Sequence, residues 1–267
     1  MTVPTGGGSA RRADCIADAA GGVTFDIEGP GAPDASLVLR RRGGGTADAV
    51  RLPLTPAGGS HSRAVLPSTV ELAEGHWDAY TDDGSAVVPG IRDLRALVGR
   101  APQAGRITAR VPYPTADGRL AVRCWLRHPH AEAGDIGVAR GACTIEGVLY
   151  GAVLGAGAVG EARLGGAVHR VPAAAGGGGR FALTLPYATL AGPGVDGERS
   201  WTLWLRPSEG AEPVRISRIL DDLWDRRSVF VYPAHEGTGY RAAPCYTAGN
   251  DLCVRLTPGT RPGPRRA

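Results

Sequence analysis

The sequence contains no lysine, so all 30 of its basic residues are arginines. This absence excludes every mechanism that needs a lysine amine, including Schiff-base chemistry, a pyridoxal phosphate anchor and the phosphate-binding lysine of P-loop proteins. Arginine pairs well with phosphate and carboxylate, and the formal net charge is +4. The composition is compatible with an anionic partner, although a solvated basic surface is the simpler interpretation.

Long apolar runs are also absent. No stretch approaches the roughly 18 apolar residues of a membrane-spanning helix, and the first residues lack the apolar centre of a signal peptide. The cysteines form no C-x-x-C motif and no zinc-like spacing with histidine. We therefore expect a soluble, cytoplasmic protein whose reduced cysteines fill the core. These five residues are Cys15, Cys124, Cys143, Cys245 and Cys253.

The chain repeats itself. Three landmarks of the first half recur in order in the second: Leu66-Pro67 as Leu185-Pro186, Trp77 as Trp201, and Tyr80 as Trp204. Segments 49–59 and 111–127 likewise have counterparts at 167–177 and 230–256. The repeat predicts two domains of ordinary size, 22–127 and 136–257, joined by a linker at 128–135. The ends, 1–21 and 258–267, are polar and are predicted to be disordered.

Apolar and polar residues alternate in short runs, as in Val23, Phe25 and Ile27. Period two is typical of half-buried strands, and the 41 glycines and 21 prolines favour turns between them. We predict an all-β protein of two tandem immunoglobulin-like β-sandwiches, each with a short helical turn. The helical turns are predicted from two apolar stripes: Ile216, Ile219, Leu220, Leu223 and Trp224 in the second copy, and Ile91, Leu94 and Leu97 in the first.

One glycine motif imitates a cofactor site. Gly155, Gly157 and Gly160 form a G-x-G-x-x-G after an apolar run, which is the dinucleotide-binding fingerprint. The helix that should follow is interrupted by Gly165-Gly166, and no acidic residue lies about 20 residues further on. We expect no cofactor.

Aromatic and basic side chains are the candidate ligand-binding residues. Trp77 and Trp201 fall on the apolar phase of their strands and are predicted to lie in the core. The aromatic residues on the opposite phase could face a ligand, and an arginine run could attract an anion. The candidates are Tyr80, Trp125 and Trp204, with Arg40, Arg41 and Arg42. No catalytic residue is predicted. His128 and His130 form a weaker alternative as a metal-binding pair, because residues two apart on a strand point to the same side.

The first half resembles a known class of protein. The segments Leu66-Pro67, Gly75–Tyr80 and Pro112–Leu120 resemble strands of accessory β-sandwich modules. These modules accompany actinobacterial cell-wall glycosyltransferases and glycerophosphotransferases of the teichoic-acid type. In the second half the motif becomes Trp201-Thr202-Leu203-Trp204. The nucleotide-sugar-binding α/β domain of those transferases has no counterpart in this sequence, so the resemblance implies an appendage rather than a catalyst.

The sequence therefore predicts a non-catalytic protein- or glycan-binding protein associated with cell-envelope glycopolymer synthesis. The expected partners are a membrane-associated glycosyltransferase or an anionic glycopolymer, without nucleic acid. Two alternatives remain open. The chain could be a transferase or other enzyme with a site between the two modules, or a purely structural protein that forms a homo-oligomer through exposed sheet edges.

Overall fold

The computed structural model describes residues 10–32, 34–45, 48–102 and 107–259. The chain divides into two compact units. Unit 1 comprises the described residues up to Pro102, together with Thr108–Leu126 and Leu220–Trp224. Unit 2 comprises Ile107, Arg127–Ile219 and the described residues from Asp225 onward. Within the described ranges, no helix is long and apolar enough to cross a membrane.

Unit 1 contains two five-stranded sheets. Its strands are β1 (Arg12–Ala17), β2 (Val23–Glu28), β3 (Ser36–Arg41), β4 (Ala49–Pro53), β5 (Thr55–Pro56), β6 (His61–Leu66), β7 (Gly75–Thr81), β8 (Val88–Asp93), β9 (Ile107–Pro114) and β10 (Leu120–Arg127). β9 and β10 each have one end residue assigned to unit 2. One sheet has the order β5-β6-β2-β1-β8 and the other the order β4-β3-β7-β10-β9. The predicted alternation is confirmed in β2, where Val23, Phe25 and Ile27 are buried.

A buried arginine ties the two sheets of unit 1 together. Arg110 of β9 is only 1% exposed. Its Nη1 donates to the carbonyl oxygens of Gly21 (3.0 Å) and Pro67 (2.8 Å), and its Nη2 donates to that of Val70. These carbonyls belong to turns that follow β1 and β6 of the other sheet. The buried guanidinium of Arg110 therefore donates to turn carbonyls that lie outside the strand ladders.

Unit 2 is built around a closed ring of strands. Its strands are β11 (His130–Ala139), β12 (Ala142–Tyr150), β13 (Val159–Leu164), β14 (Ala167–Ala175), β15 (Arg180–Pro186), β16 (Arg199–Arg206), β17 (Val214–Ser217), β18 (His235–Gly237), β19 (Tyr240–Tyr246) and β20 (Leu252–Pro258). They follow the order β13-β14-β15-β12-β11-β17-β16-β20-β19-β18, and β13 also pairs with β16. This extra pairing closes the first seven strands into a barrel. A short helix, α1 (Tyr187–Ala191), follows β15.

The strand orders of the two units correspond, as the sequence repeat predicts. The order β4-β3-β7-β10-β9 matches β14-β13-β16-β20-β19, and β5-β6-β2-β1-β8 matches β14-β15-β12-β11-β17. Each unit also has one parallel pair at the matching place, β1 with β8 and β11 with β17. The units differ at β14, which runs continuously from β13 to β15, whereas its counterpart is divided into β4 and β5. The all-β prediction is confirmed, but the barrel of unit 2 is not a two-sheet immunoglobulin-like sandwich.

The predicted segment boundaries differ from those observed. The N-terminal segment 1–21, predicted to be disordered, contains β1, which is held between β2 and β8. The predicted linker 128–135 contains the start of β11, which pairs with β12. Residues 1–9 and 260–267 lie outside the described residues.

The predicted helix over 216–224 does not form. Ile216 belongs to β17, where it pairs in parallel with Ala131 of β11. The next apolar residue, Ile219, donates its backbone N–H to both carboxylate oxygens of Glu132, at 3.1 and 2.9 Å. Barrel pairing therefore overrides the helical period of the sequence. In the first copy the predicted helical turn is present as a 3-10 helix at Arg95–Leu97, with Leu97 buried and Ile91 instead in β8.

We expect Arg110→Met to lower the free energy of unfolding of the protein by about 3 kcal/mol, because three turn carbonyls lose the donors that the buried guanidinium supplies. The control is Arg119→Met, since Arg119 pairs with Asp117 at the surface and an exposed ion pair contributes about 0.5 kcal/mol. Urea unfolding followed by tryptophan fluorescence measures both. Equal losses in the two variants would contradict a special role for Arg110.

Candidate functional site

A cluster of charged side chains in unit 2 lies on the outside of the barrel. Four arginines from four neighbouring strands surround one glutamate and one tryptophan, and we call this surface the arginine face. Its residues are Glu161 and Arg163 on β13, Arg170 on β14, Trp204 and Arg206 on β16, and Arg215 on β17.

Strand alternation directs these side chains outward. Ala162 of β13 and Leu203 and Leu205 of β16 lie in the hydrophobic core of unit 2. Side chains of a strand alternate between its two faces, so their neighbours in sequence point away from that core. The same alternation that fills the barrel therefore gathers the charged residues on its outer surface.

Glu161 is the centre of the arginine face. Its side chain is 0% exposed, yet it is a carboxylate. Its Oε2 accepts hydrogen bonds from Nε (2.8 Å) and Nη2 (2.5 Å) of Arg163. Its Oε1 accepts from Nε of Arg170 (3.1 Å) and Nε of Arg206 (2.8 Å). A buried carboxylate with this many charge-assisted hydrogen bonds holds its partners in place.

Two opposing effects set the pKa of Glu161. Burial raises the pKa, because it disfavours the charged form. The hydrogen bonds from Arg163, Arg206 and Arg170 favour the carboxylate and outweigh burial, so they lower the pKa to about 2. Glu161 is therefore ionised at neutral pH and fixes three guanidinium groups around itself.

Trp204 holds two of the arginines by its ring. The guanidinium carbon of Arg163 lies 4.9 Å from the ring centroid, and that of Arg215 lies 4.7 Å from it. The two cations come from β13 and β17, which both pair with β16. The indole N–H of Trp204 donates to Thr202 Oγ1 at 3.0 Å. Trp204 therefore positions guanidinium groups by cation–π contact.

A second carboxylate extends the face. Asp251, whose side chain is 9% exposed, accepts hydrogen bonds from Arg215 Nη1 (2.8 Å), Arg127 Nη1 (3.1 Å) and Ser217 Oγ (2.7 Å). With Arg127 included, five guanidinium groups face two carboxylates. The surface thus carries an excess of three positive charges.

The arginines of the face retain capacity for a ligand. Arg170 gives only its Nε to Glu161, and its side chain is 61% exposed. The side chain of Arg215 is 42% exposed. A guanidinium has five N–H donors, so one edge can bind Glu161 or Asp251 while another faces solvent. Chemically, the surface is suited to phosphate or carboxylate groups.

Unit 1 has a counterpart of this face with a different charge balance. Arg40 lies 5.1 Å from the ring centroid of Tyr80, as Arg163 lies over Trp204. Arg51 and Arg170 occupy matching positions, because they pair with Val38 and Glu161 respectively. Val38 is a buried apolar residue where unit 2 has its central carboxylate. The aromatic–arginine pair is therefore repeated, and the carboxylate centre is not.

Acidic residues neutralise the face in unit 1. Arg42 pairs with Asp78 through Nη2 (2.5 Å) and Nε (3.2 Å), and Arg51 pairs with Asp82. Arg41 donates to the Glu74 carbonyl at 2.9 Å and lies 4.0 Å from Asp48. Of the run Arg40–Arg42 that the sequence singles out, two members thus have acidic neighbours.

The other predicted site residues occupy separate environments. Trp125 is 0% exposed, with the guanidinium of Arg123 4.7 Å from its ring centroid, so it presents no surface to a ligand. His130 is also fully buried, and its Nε2 lies 2.7 Å from Glu132 Oε2. His128 is exposed. In the part of the chain that the structure describes, no three His, Cys, Asp or Glu side chains are grouped to hold a metal ion.

The G-x-G-x-x-G segment belongs to the barrel wall. It joins β12 to β13, and Gly160 pairs with Val171 and Leu205 as part of β13. A Cβ atom at Gly160 would lie 2.7 Å from the end of the Leu183 side chain. A larger residue at Gly160 would therefore displace the Leu183 side chain.

Sequence reasoning missed most of the arginine face. It identified Trp204 but not Glu161 or the arginines from other strands. The repeat register gave no direct signal, because the alignment of 49–59 with 167–177 sets Arg51 against His169, one residue before Arg170. The convergence of β13, β14, β16 and β17 on one surface could not be read without the pairing that closes the barrel.

Comparison with known proteins gives weak similarity. No family model matches the chain, and no curated protein matches it. A solved fragment of S. aureus TarS, residues 217–571, is 15% identical with a TM-score of 0.29, over 66% of this chain and 56% of the fragment. A longer S. aureus TarS structure is 15% identical with a TM-score of 0.26, over 61% and 33%.

A tetra-tandem repeat from the extending region of a large adhesion protein is 10% identical with a TM-score of 0.24, over 94% of this chain and 66% of that one. The chain spans about half the length of the TarS fragment, at 56%. TM-scores this low carry no argument about what this chain does.

We expect the stability of the protein to depend on Glu161 at acid pH. The folded-state pKa of Glu161 is about 2, below its ordinary 4.5. Its stabilising contribution, about 3 kcal/mol by linkage, is therefore complete above pH 4.5 and is lost as the pH falls towards 2. Chemical denaturation at several pH values should show a shallower acid dependence in Glu161→Gln than in the unchanged protein. Identical pH dependences would contradict the assignment.

Proposed function

We propose that this protein is a non-catalytic binding protein that holds an anionic, phosphodiester-linked glycopolymer of the cell envelope on the arginine face of unit 2. The observation that carries the proposal is the ring of guanidinium groups around buried Glu161. The resemblance of the first half to accessory modules of teichoic-acid-type transferases supplies the class of polymer.

Preorganisation favours this role. Ordering a flexible side chain on binding costs about 0.5–1.5 kcal/mol. Arg163, Arg170 and Arg206 are already held by Glu161, and Arg215 is held by Asp251 and Trp204. The guanidinium donors of this surface are therefore largely fixed before a phosphate binds.

The same geometry disfavours single-stranded nucleic acid as the ligand. Proteins that bind such strands stack bases on exposed aromatic faces. Trp204 has guanidinium groups at 4.9 and 4.7 Å approaching its ring from flanking strands. A polymer recognised through its phosphates requires no such stacking platform.

We expect Arg170→Ala to weaken binding of a poly(glycerol phosphate) oligomer about tenfold, since a hydrogen bond to a charged group contributes about 1.5 kcal/mol. Arg51→Ala is the matched control, because Arg51 is the counterpart of Arg170 in unit 1 and is paired with Asp82. Isothermal titration calorimetry measures both, and thermal melting checks that each variant is folded.

Two outcomes would contradict the proposal. One is an equal loss of affinity in Arg170→Ala and Arg51→Ala, which would make the effect one of net charge alone. The other is equally tight binding of an uncharged glycan of similar length.

Added salt should weaken the interaction, because exposed charges are screened within about 8–10 Å at 0.1–0.15 M ionic strength. The transferase partner and the homo-oligomer stay predictions.

A further inference from the structure

Two cysteines lie opposite each other in unit 2. Cys245 of β19 and Cys253 of β20 are directly paired in the antiparallel ladder. Their Sγ atoms are 2.9 Å apart, and both are thiols. Directly opposed residues of antiparallel strands have Cα atoms about 4.5–5.5 Å apart, which lies within the range of about 4.4–6.8 Å that a disulfide spans. The backbone therefore requires no rearrangement for the two sulfurs to bond.

Exposure distinguishes Cys245 from the other four cysteines, including Cys253, which is buried. Cys15, Cys124 and Cys143 are buried, and burial raises their pKa values to about 12, 12 and 11. Cys245 is partly exposed. Disulfide exchange requires an accessible thiolate, so Cys245 is the thiol that a reagent in solution meets first.

The surroundings of the pair favour a thiolate on Cys245. A hydrogen bond from the Cys253 thiol lowers the pKa of Cys245, burial opposes this, and the positive charge of Arg255 assists it. The hydrogen bond with Cys245, followed by burial, raises the pKa of Cys253. Within the pair, Cys245 is the nucleophile and Cys253 retains its proton until the second step.

The geometry points to Cys245 and Cys253 as a dithiol–disulfide site that reacts with small-molecule disulfides. In the first step the Cys245 thiolate attacks one sulfur of the reagent, forms a mixed disulfide and releases one small thiolate. In the second step Cys253 loses its proton and attacks Cys245 Sγ, which releases the second small thiol. The protein loses two electrons and two protons, and the reagent gains both. This inference is independent of the proposed function.

The test uses the full-length folded protein and glutathione disulfide. Exposure to the reagent should lower the thiol count of the subsequently denatured chain from five to three, and dithiothreitol should restore it. After free thiols are alkylated, trypsin cleavage at Arg241 and Arg255 yields a peptide that contains both cysteines. Mass spectrometry should find this peptide two hydrogen atoms lighter than its reduced form, with the other cysteines alkylated.

Two variants locate the reaction. Cys245→Ser should retain all of its thiols under the same treatment, because the partly exposed member of the pair is gone. Cys143→Ser, which alters a buried cysteine of β12, should still lose two thiols. The inference is overturned if the wild-type peptide stays reduced, if glutathione remains attached at Cys245, or if the buried cysteines react as readily. Peptide mapping of the wild type decides the matter even if a variant fails to fold.

Discussion

The pairing of β13 with both β14 and β16 is the constraint on which unit 2 depends. Once this strand joins both neighbours, the barrel closes and the inside and outside of every wall strand are fixed by alternation. Gly160 and Ala162 then face the core. Glu161 is forced outward onto a surface where only neighbouring side chains can cover it. The arginine face is thus a consequence of barrel closure rather than a separate addition to the fold.

The two units show how much one outer position changes a surface. Val38 and Glu161 occupy matching sites beside Arg51 and Arg170. A buried carboxylate without partners would be strongly unfavourable, since desolvation of an ion costs several kcal/mol. In unit 2 the cost is offset by hydrogen bonds from three arginines. Glu161 therefore requires the arginines, and removing the carboxylate would leave those arginines without their anchor.

The sequence predicts the parts of the fold that are local. The alternation of apolar residues predicts the strands, and the repeated landmarks predict that β6 corresponds to β15 and β7 to β16. The predicted helix over 216–224 does not form. Ile216 is buried in the pairing of β17 with β11, and Ile219 is buried in the loop that follows, so the helical spacing of these apolar residues does not come from a helix. Trp125 lies on the arginine-bearing phase of β10, yet the second face of that strand is buried as well. The absent helix and the burial of Trp125 both result from long-range strand pairing, which no local sequence pattern predicts.

At the arginine face, arginine does what lysine could not. A lysine ammonium is a compact point charge, whereas a guanidinium is planar and carries donors on more than one edge. Arg170 and Arg206 each give their Nε to Glu161, and Arg206 still donates through Nη1 to the Ala211 carbonyl. Lysines at these positions could neutralise Glu161 but could not bind it in a fixed orientation and present a second edge outward. A surface that anchors its cations inward and still exposes guanidinium groups is therefore better suited to arginine than to lysine.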